Sequence, residues 1–447
     1  MEEQNIEQLR LLVEQKKLRE LKQELLSYNE ADIAIFIESL NDVEALAVFR
    51  ILPKEEATET FSFFELDTQE RFINIMTNAE LTNLAENLYI DDVVDMLEEL
   101  PATVVKKILK DVQPQRRAII NQYMAYPEDS AGSIMTAEYI GLKEHITVKQ
   151  ALDTIRVRGL DSENIYTCYI TDNQRKLEGF VSVRTLLVNN DDVVISDLLE
   201  EDVIYVTTTD DQEDVARLFA KYGFLSLPVV DHEKRLVGVV TIDDAVDVLE
   251  EEATEDIELM AAMTPSEKPY LKTSVLELAK NRFTWLIILM LTATVTGFII
   301  NSFEATLTAV AGAMAFVPML TGAGGNAGAQ SSTMVIRGLS IGELELDDYK
   351  KIFIKELGVS ILVGVVLAIV NFFRIIIFNP GQYLMALTVS LSLVVTIMIA
   401  KSVGGLLPIA AKRLNLDPAI MASPLITTIV DTLSLLVYFF FITKIML

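Results

Sequence analysis

Cysteine occurs once, at Cys168, and histidine twice, at His145 and His232. A single cysteine excludes a disulfide framework and any cysteine-built zinc or redox centre, and two histidines leave almost nothing for imidazole metal sites. Basic residues are scarce as well. With 37 Lys+Arg against 65 Asp+Glu, the chain carries −28, which argues against nucleic acid as a partner because like charges repel. The opening residues, Met1-Glu-Glu-Gln-Asn, lack a basic region followed by an apolar run, so no cleaved signal peptide is expected. No nucleophile–base pairing or cofactor motif emerges either, so an enzyme is not expected. What is abundant is apolar: 51% of 447 residues, too much for a disordered or collagen-like chain and enough for several domains.

The charge is unevenly spread. Residues 1–272 hold 26 Lys+Arg and 56 Asp+Glu, whereas residues 273–447 hold 11 and 9. An acidic front half is joined to a near-neutral, apolar back half. Uncharged runs at 283–303, 305–336, about 357–373, about 384–411, and from Pro418 to the end are each long enough to be read as membrane spans. Pro318 and a glycine cluster interrupt the second. Five spans put Lys280, Arg282, Arg337, Lys350, Lys351, Lys355, Lys412 and Arg413 on one face and Arg374 and Lys444 on the other. The excess of positive charge predicts a cell-membrane protein with a cytoplasmic front half and an extracytoplasmic C-terminus.

In the front half, residues 1–28 read as one charged amphipathic helix. Helical spacing in Ile33-Phe36-Ile37-Leu40 and Val93-Val94-Leu97, with punctuation at Pro53, Pro101 and Pro114, predicts an all-α superhelical array over 29–128. A repeat follows at a spacing of 59 residues. Tyr169-Ile-Thr-Asp172 precedes Lys176-Leu-Glu-Gly179-Phe-Val-Ser182, and Val229-Val230-Asp231 precedes Arg235-Leu-Val-Gly238-Val-Val-Thr241. Each copy reads as strand, Asp-led turn and second strand, flanked by helices. This α/β repeat, 129–200 and 201–248, resembles a tandem cystathionine-β-synthase-type (CBS) pair, a regulatory module that often binds adenine nucleotides.

Four features carry chemistry. Asp243, Asp244, Asp247, Glu250, Glu251, Glu252, Glu255, Asp256 and Glu258 place nine carboxylates within sixteen residues, with no basic residue among them. A solvated helix face is the plain alternative, but carboxylates one turn apart repel by roughly 0.2–0.5 kcal/mol each, and oxygen-only ligands suit a hard divalent cation such as Mg²⁺. The stretch Pro318-Met-Leu-Thr-Gly322-Ala-Gly324-Gly325-Asn326-Ala-Gly328-Ala-Gln330 is no phosphate loop, because the lysine is missing. Tight packing through Gly324 and Gly328 competes there with a broken, pore-lining backbone. Asp431, preceded by Thr427 and Thr428, is an ionisable residue in the middle of the last span. It marks an ion pathway or a structural pair with Lys401. Asp417-Pro418 reads as a helix start.

An acidic helical domain, tandem CBS repeats, an acidic connecting "plug" helix (243–270, overlapping the second repeat) and a five-helix transmembrane domain (271–447) resemble the MgtE family of magnesium channels. The glycine-rich stretch and Pro424-Leu-Ile-Thr-Thr-Ile-Val-Asp431 look like that family's membrane motifs. The resemblance implies a homodimer in the lipid bilayer, with its pore on the two-fold axis. It implies that Asp431 holds hydrated Mg²⁺ with Asn326, Gly322 and Thr427 around it. It implies regulatory Mg²⁺ on Asp91, Asp92 and Asp95 of the helical domain, Glu213, Asp244 and Asp247 of the CBS pair, Glu252, Glu255 and Asp256 of the plug helix, and Asp417 on the membrane side. Gly223 stands where another acidic ligand is expected. ATP would use Thr241 and Asp244, although in the first repeat Thr185 replaces the expected acid.

These residues suit a channel closed by its own ion. Mg²⁺ gives up water reluctantly, so weak contacts to a hydrated ion let it pass. Mg²⁺ bridging carboxylates of different domains would favour a compact, closed state. The alternative is a CBS-gated secondary transporter in which Lys401 and Asp431 form a proton relay.

Overall fold

The computed structural model describes residues 3–98, 100–160, 162–266, 270–271, 273–421 and 423–447. The chain divides into two compact units, 1–249 and 250–447.

In the first unit, ten helices run from α1 (Glu3–Glu14) to α10 (Pro114–Tyr123). The N-terminal segment is two helices rather than the single one expected over residues 1–28. Lys16 turns to φ 54°, and α2 (Leu18–Leu25) folds back, so that Leu9, Leu21 and Leu25 are fully buried together. Burying those leucines outweighs the continuity of a solvated helix. Punctuation elsewhere is local chemistry. Pro53 and Pro101 immediately precede helices, Pro114 opens α10, and Thr77 and Glu80 form a reciprocal cap on α7 (Asn78–Asn87). Phe49, Phe61, Phe64 and Phe72 pack edge-on or tilted at the centre of the array.

The repeat forms two three-stranded sheets. β1 (Tyr139–Leu142) pairs parallel to β2 (Asn164–Thr171), which pairs antiparallel to β3 (Leu177–Ser182), with α11 (Val148–Arg158) and α12 (Val183–Val188) alongside. β4 (Val206–Thr207), β5 (Ser226–Val230) and β6 (Leu236–Thr241) repeat that order, with α13 (Gln212–Tyr222). The 59-residue spacing holds residue by residue through the two hairpins. Ile170 opposes Gly179 as Val229 opposes Gly238, and Arg175 and Lys234 both take left-handed φ. Asp172 accepts the backbone N–H groups of Gln174 and Lys176, and Asp231 those of Glu233 and Arg235. The two glycines let another backbone segment approach: a Cβ on Gly179 would meet the Glu200 carbonyl at 2.6 Å, and one on Gly238 that of Thr136 at 2.7 Å. One hydrophobic core runs from the helical array into the second repeat, whereas the first repeat has its own around Ile140, Cys168, Ile170 and Val181. Cys168 is therefore core.

α14 (Ile242–Met260) carries the acidic run as one continuous helix. In the second unit, α15 (Val275–Ser302) is followed by α16 (Glu304–Ala309), a 3-10 turn at Ala313–Phe316, α17 (Val317–Ser340), α18 (Tyr349–Phe378), α19 (Tyr383–Arg413) and α20 (Ser423–Ile445). Among the described residues, four helical segments are long and apolar enough to cross a membrane: 275–302, 346–378, 383–413 and 418–445. α17 is a fifth long helix at the centre of this unit, diluted by glycine and polar residues. The expected broken backbone through the glycine cluster is corrected here. The break lies earlier, in α16 and the 3-10 turn, and Pro318 starts a helix that runs unbroken through Gly322–Gly328.

That continuity rests on packing. A Cβ on Gly324 would meet Ser434 and Thr396 at 2.8 Å, one on Gly325 would meet Thr427 at 2.8 Å, and one on Gly328 would meet Ile426 at 2.7 Å. A Cβ on Gly404 would collide with the Gly328 carbonyl. Backbone-to-backbone approach of this kind compensates for the poor helix propensity of glycine.

Candidate ion sites in the two units

In the first unit, α8 (Ile90–Glu98) brings Asp91 and Asp92 against Asp244, at the start of α14, and Glu163, at the lip of β2. Carboxylate oxygens of Asp91, Glu163 and Asp244 all lie within 4.8 Å of one another. Asp91 is buried, and Glu163 Oε2 is buried without a hydrogen-bond partner. Thr241 Oγ1 donates to Asp244 at 2.6 Å and lies 3.3 Å from Glu163 Oε1. Among the described residues none of these carboxylates has a Lys or Arg partner. Arg116, on α10, directs its guanidinium to the carbonyls of Ala85 and Leu88 and to Glu138.

Burial and mutual repulsion raise the proton affinity of this cluster. Burial first, then Glu163 and Asp244, push Asp91 well above the usual carboxylate range. Asp92 is pushed up to about 7 by burial and the Asp244 and Asp243 charges. Glu163 rises to about 8, chiefly from burial with Asp244 adding to it, and Asp244 to about 6 despite the Thr241 hydrogen bond that favours its charged form. An oxygen-only, uncompensated, partly desolvated set of this kind fits a hard divalent cation, which would replace the protons.

The remaining sequence candidates are placed differently. Asp95 and Asp247 are exposed, and Glu213 is ion-paired to Arg217 within α13. Gly223, at the expected acidic position, takes φ 67° as the left-handed end of α13, a conformation that favours glycine over aspartate. In the first repeat Thr185 hydrogen-bonds Ser182 at 2.8 Å, the counterpart of the Thr241–Asp244 contact. The neutral pair leaves the first repeat without the acid. Glu163 escaped the sequence reading because it lies 72 residues from Asp91 and 81 from Asp244, with no local acidic run to mark it.

In the second unit, Asp256 accepts from Ser340 Oγ at 2.9 Å, and Leu259 packs with Ile336 and Ala419. Asp417 is exposed and caps the following turn, accepting the Ala419 N–H at 2.6 Å. Glu252 and Glu255 lie on the same helix as Asp256, Glu255 exposed and Glu252 half-buried.

On α17, Gly322, Asn326 and Gln330 recur every fourth residue and are exposed in the single chain, while Gly324, Gly325, Ala327 and Gly328 are buried. One face of the glycine helix is thus packed and the opposite one open and polar. Thr427 packs on Gly325, and Asp431 follows one turn later on α20, half-buried and without a hydrogen-bond or ion-pair partner among the described residues. The pairing of Asp431 with Lys401 is corrected. Lys401 Nζ lies 3.8 Å from Glu356 on α18 and 3.2 Å from Ser331 on α17. Glu356 was missed because the apolar run chosen for the third span began one residue after it.

Comparison with known proteins agrees with this architecture. Residues 28–129 match the MgtE intracellular N domain, 131–189 and 195–251 the CBS domain, and 317–441 the MgtE divalent cation transporter family. The magnesium transporter MgtE of Thermus thermophilus is 37% identical over 98% of this chain and 98% of its own length, and that of Bacillus subtilis 32% identical over 96% and 94%. Among solved structures, the soluble part of a magnesium transporter superposes with a TM-score of 0.54 at 30% identity, covering 56% of this chain and 99% of that one. The cytosolic domain of the Mg²⁺ channel MgtE in complex with ATP does so with 0.51 at 34%, covering 54% and 98%. With helical array, CBS pair and glycine-helix membrane unit each matched in sequence order, the chain is a membrane transport protein, not an enzyme, and belongs to the MgtE family.

Proposed function

We propose that this protein is a homodimeric Mg²⁺ channel that imports Mg²⁺ across the cell membrane and is closed by Mg²⁺ on its acidic, cytoplasmic side. The observation that carries the reading is the open face of α17 beside the unpartnered Asp431. Asparagine, glutamine and a carboxylate facing hydrocarbon are expensive, and a second copy of the chain across this face turns it into a water-filled path. α17 serves as the second of five spans. The named relatives transport magnesium, and the residue set favours a hydrated ion: Asp431 gives charge, Asn326 an amide, Thr427 a hydroxyl and Gly322 room. Positive residues on the loops put the front half in the cytoplasm and the C-terminus outside.

Gating follows from the first site. Asp91 and Asp92 belong to the helical array, Glu163 to the first repeat and Asp244 to the second, so one cation there ties three parts of the front unit together. Asp95, Glu213, Asp247, Glu252, Glu255, Asp256 and Asp417 complete the regulatory acidic set. A cation bound more tightly in the compact arrangement shifts the population toward it, and losing the cation restores the repulsion. ATP is a second ligand of the CBS pair, with Thr241 and Asp244 at the ribose. Because Asp244 serves both, ATP and the bridging ion are coupled through it.

The test is divalent-cation flux in liposomes holding the full-length protein, with Mg²⁺ varied on the front-unit side. Flux that saturates with external Mg²⁺ and falls as Mg²⁺ on the front-unit side rises supports the reading. Flux that needs a proton gradient, or ignores Mg²⁺ on that side, sinks it. Calorimetry with ATP on the same protein tests the nucleotide.

A further inference from the structure

A helix that packs through glycine has a weakness: bare backbone has no side chain to fix its rotation. α17 meets α19 and α20 through Gly324, Gly325 and Gly328, where contact is non-directional, and the buried Leu320, Val335, Ile336 and Leu339 to either side add apolar packing that is not directional either. Since each residue turns the helix by about 100°, a slip of one residue would carry Asn326 off the open face.

Polar contacts restrict that freedom. Ser332 Oγ donates to the Met421 carbonyl at 3.1 Å and Ser340 Oγ to Asp256 at 2.9 Å, and the contact that involves buried charges is at Ser331. Ser331, one turn beyond Gly328, is buried and donates to Glu356 Oε2 on α18 at 2.5 Å. Lys401 of α19, 5% exposed, reaches the same Ser331 Oγ at 3.2 Å and Glu356 at 3.8 Å. The contact is directional and joins three helices at one point. It lies beside the tightest backbone approach of the unit, since Gly404, one turn past Lys401, faces the Gly328 carbonyl. The α18–α19 seam is in register there too, with Gly405 facing Glu356, as Gly364 faces Val394 farther along.

We propose that Ser331, Glu356 and Lys401 form a polar key that sets the rotation of α17, making them positioning residues for the ion path rather than part of it. A buried charge pair is retained where it selects one arrangement over others of similar packing, and an apolar substitute would hold the helices together without choosing their rotation. The proposal rests on the reading of the α17 face as the ion path, and its test separates the two.

A Cys168→Ala, Asn326→Cys protein, full length and reconstituted, reports the open face by its reaction rate with a water-soluble thiol reagent. Ser331→Ala, which keeps the ion pair, and Lys401→Met/Glu356→Gln, which removes both charges together, are then added. In both the labelling rate should change about tenfold, the loss expected for a hydrogen bond to a charged group. Without the reporter, the same variants should raise half-saturating Mg²⁺ and weaken discrimination between Mg²⁺ and Ca²⁺, while Lys401→Arg alone, which keeps the charge beside Glu356, leaves both near the parent values. Parent labelling and parent selectivity in assembled Ser331→Ala and double-variant protein would overturn the key. So would failure of Ser331→Ala to assemble, since the contact would then serve folding. If Asp431→Ala leaves flux intact while the labelling rates still move, the ion-path reading falls and the key stands.

Discussion

The two units bury charge in opposite ways. In the front unit Asp91, Asp92, Glu163 and Asp244 crowd together with no Lys or Arg partner among the described residues, and burial and repulsion raise their affinity for protons. In the membrane unit the buried Lys401 is matched by Glu356 and a serine hydroxyl. The difference separates architecture from function. A compensated pair makes no demand on a ligand, whereas an uncompensated cluster is stable only when something else supplies positive charge. Asp431 follows the front-unit pattern inside the membrane unit, which is why it, and not Lys401, is the ion-binding candidate.

The comparison breaks most severely at Asp431. Replacing it with alanine should reduce Mg²⁺ flux in proteoliposomes to background while the purified protein keeps its oligomeric size and helical content. Near-parent flux would remove Asp431 from the ion path. Next in size is the packed face of the glycine helix. Gly404→Ala drives a methyl into the Gly328 carbonyl and should lower thermal stability in detergent by about 1–3 kcal/mol, the usual cost of overpacking. An unchanged melting temperature would mean that the α17–α19 contact is not held.

Relieving the front cluster should have the reverse sign. Asp91→Asn with Glu163→Gln should raise stability in chelator, on the order of 1–3 kcal/mol, because buried repulsion is removed. The same protein should gain little from added Mg²⁺, and its flux should persist at front-unit-side Mg²⁺ that lowers the parent's flux. If Mg²⁺ still stabilises the double variant as strongly as the parent, the cluster is not the bridging site.

Acidity sharpens the same point. Carboxylates raised in the folded state bind more protons there than in the unfolded chain, so stability falls as pH climbs. The loss begins near the ordinary carboxylate range and runs through the Glu163 value of about 8, with Asp91, also held well above that range, contributing in the same direction. In chelator, melting should therefore drop between pH 5 and pH 8.5, and saturating Mg²⁺ should flatten the curve; a rise with pH would contradict the assigned protons. The smallest effect is expected at Asp95, which is exposed: Asp95→Asn should move stability by no more than about 0.5 kcal/mol.

Local patterns were legible in the chain itself. The 59-residue repeat, with its Asp-led turns and Gly179 and Gly238, is a matter of short-range hydrogen bonding and backbone freedom, and both copies fold as read. The later apolar runs were equally plain, whereas Pro318, read as an interruption within a span, opens α17. At Lys16 the pattern misled, because charged neighbours on a helix face say nothing about the leucines that meet when the chain folds back.

What sequence by itself determined, then, was the inventory: an acidic front, a doubled α/β module, apolar spans and a lone carboxylate among them. Each follows from composition or from contacts within a few residues. Partnership was decided only in three dimensions. Glu163 joins Asp91 and Asp244 across three elements, and Lys401 takes Glu356 instead of Asp431. Coulomb energy falls with distance in space rather than along the chain, and no sequence spacing records which helices pack side by side.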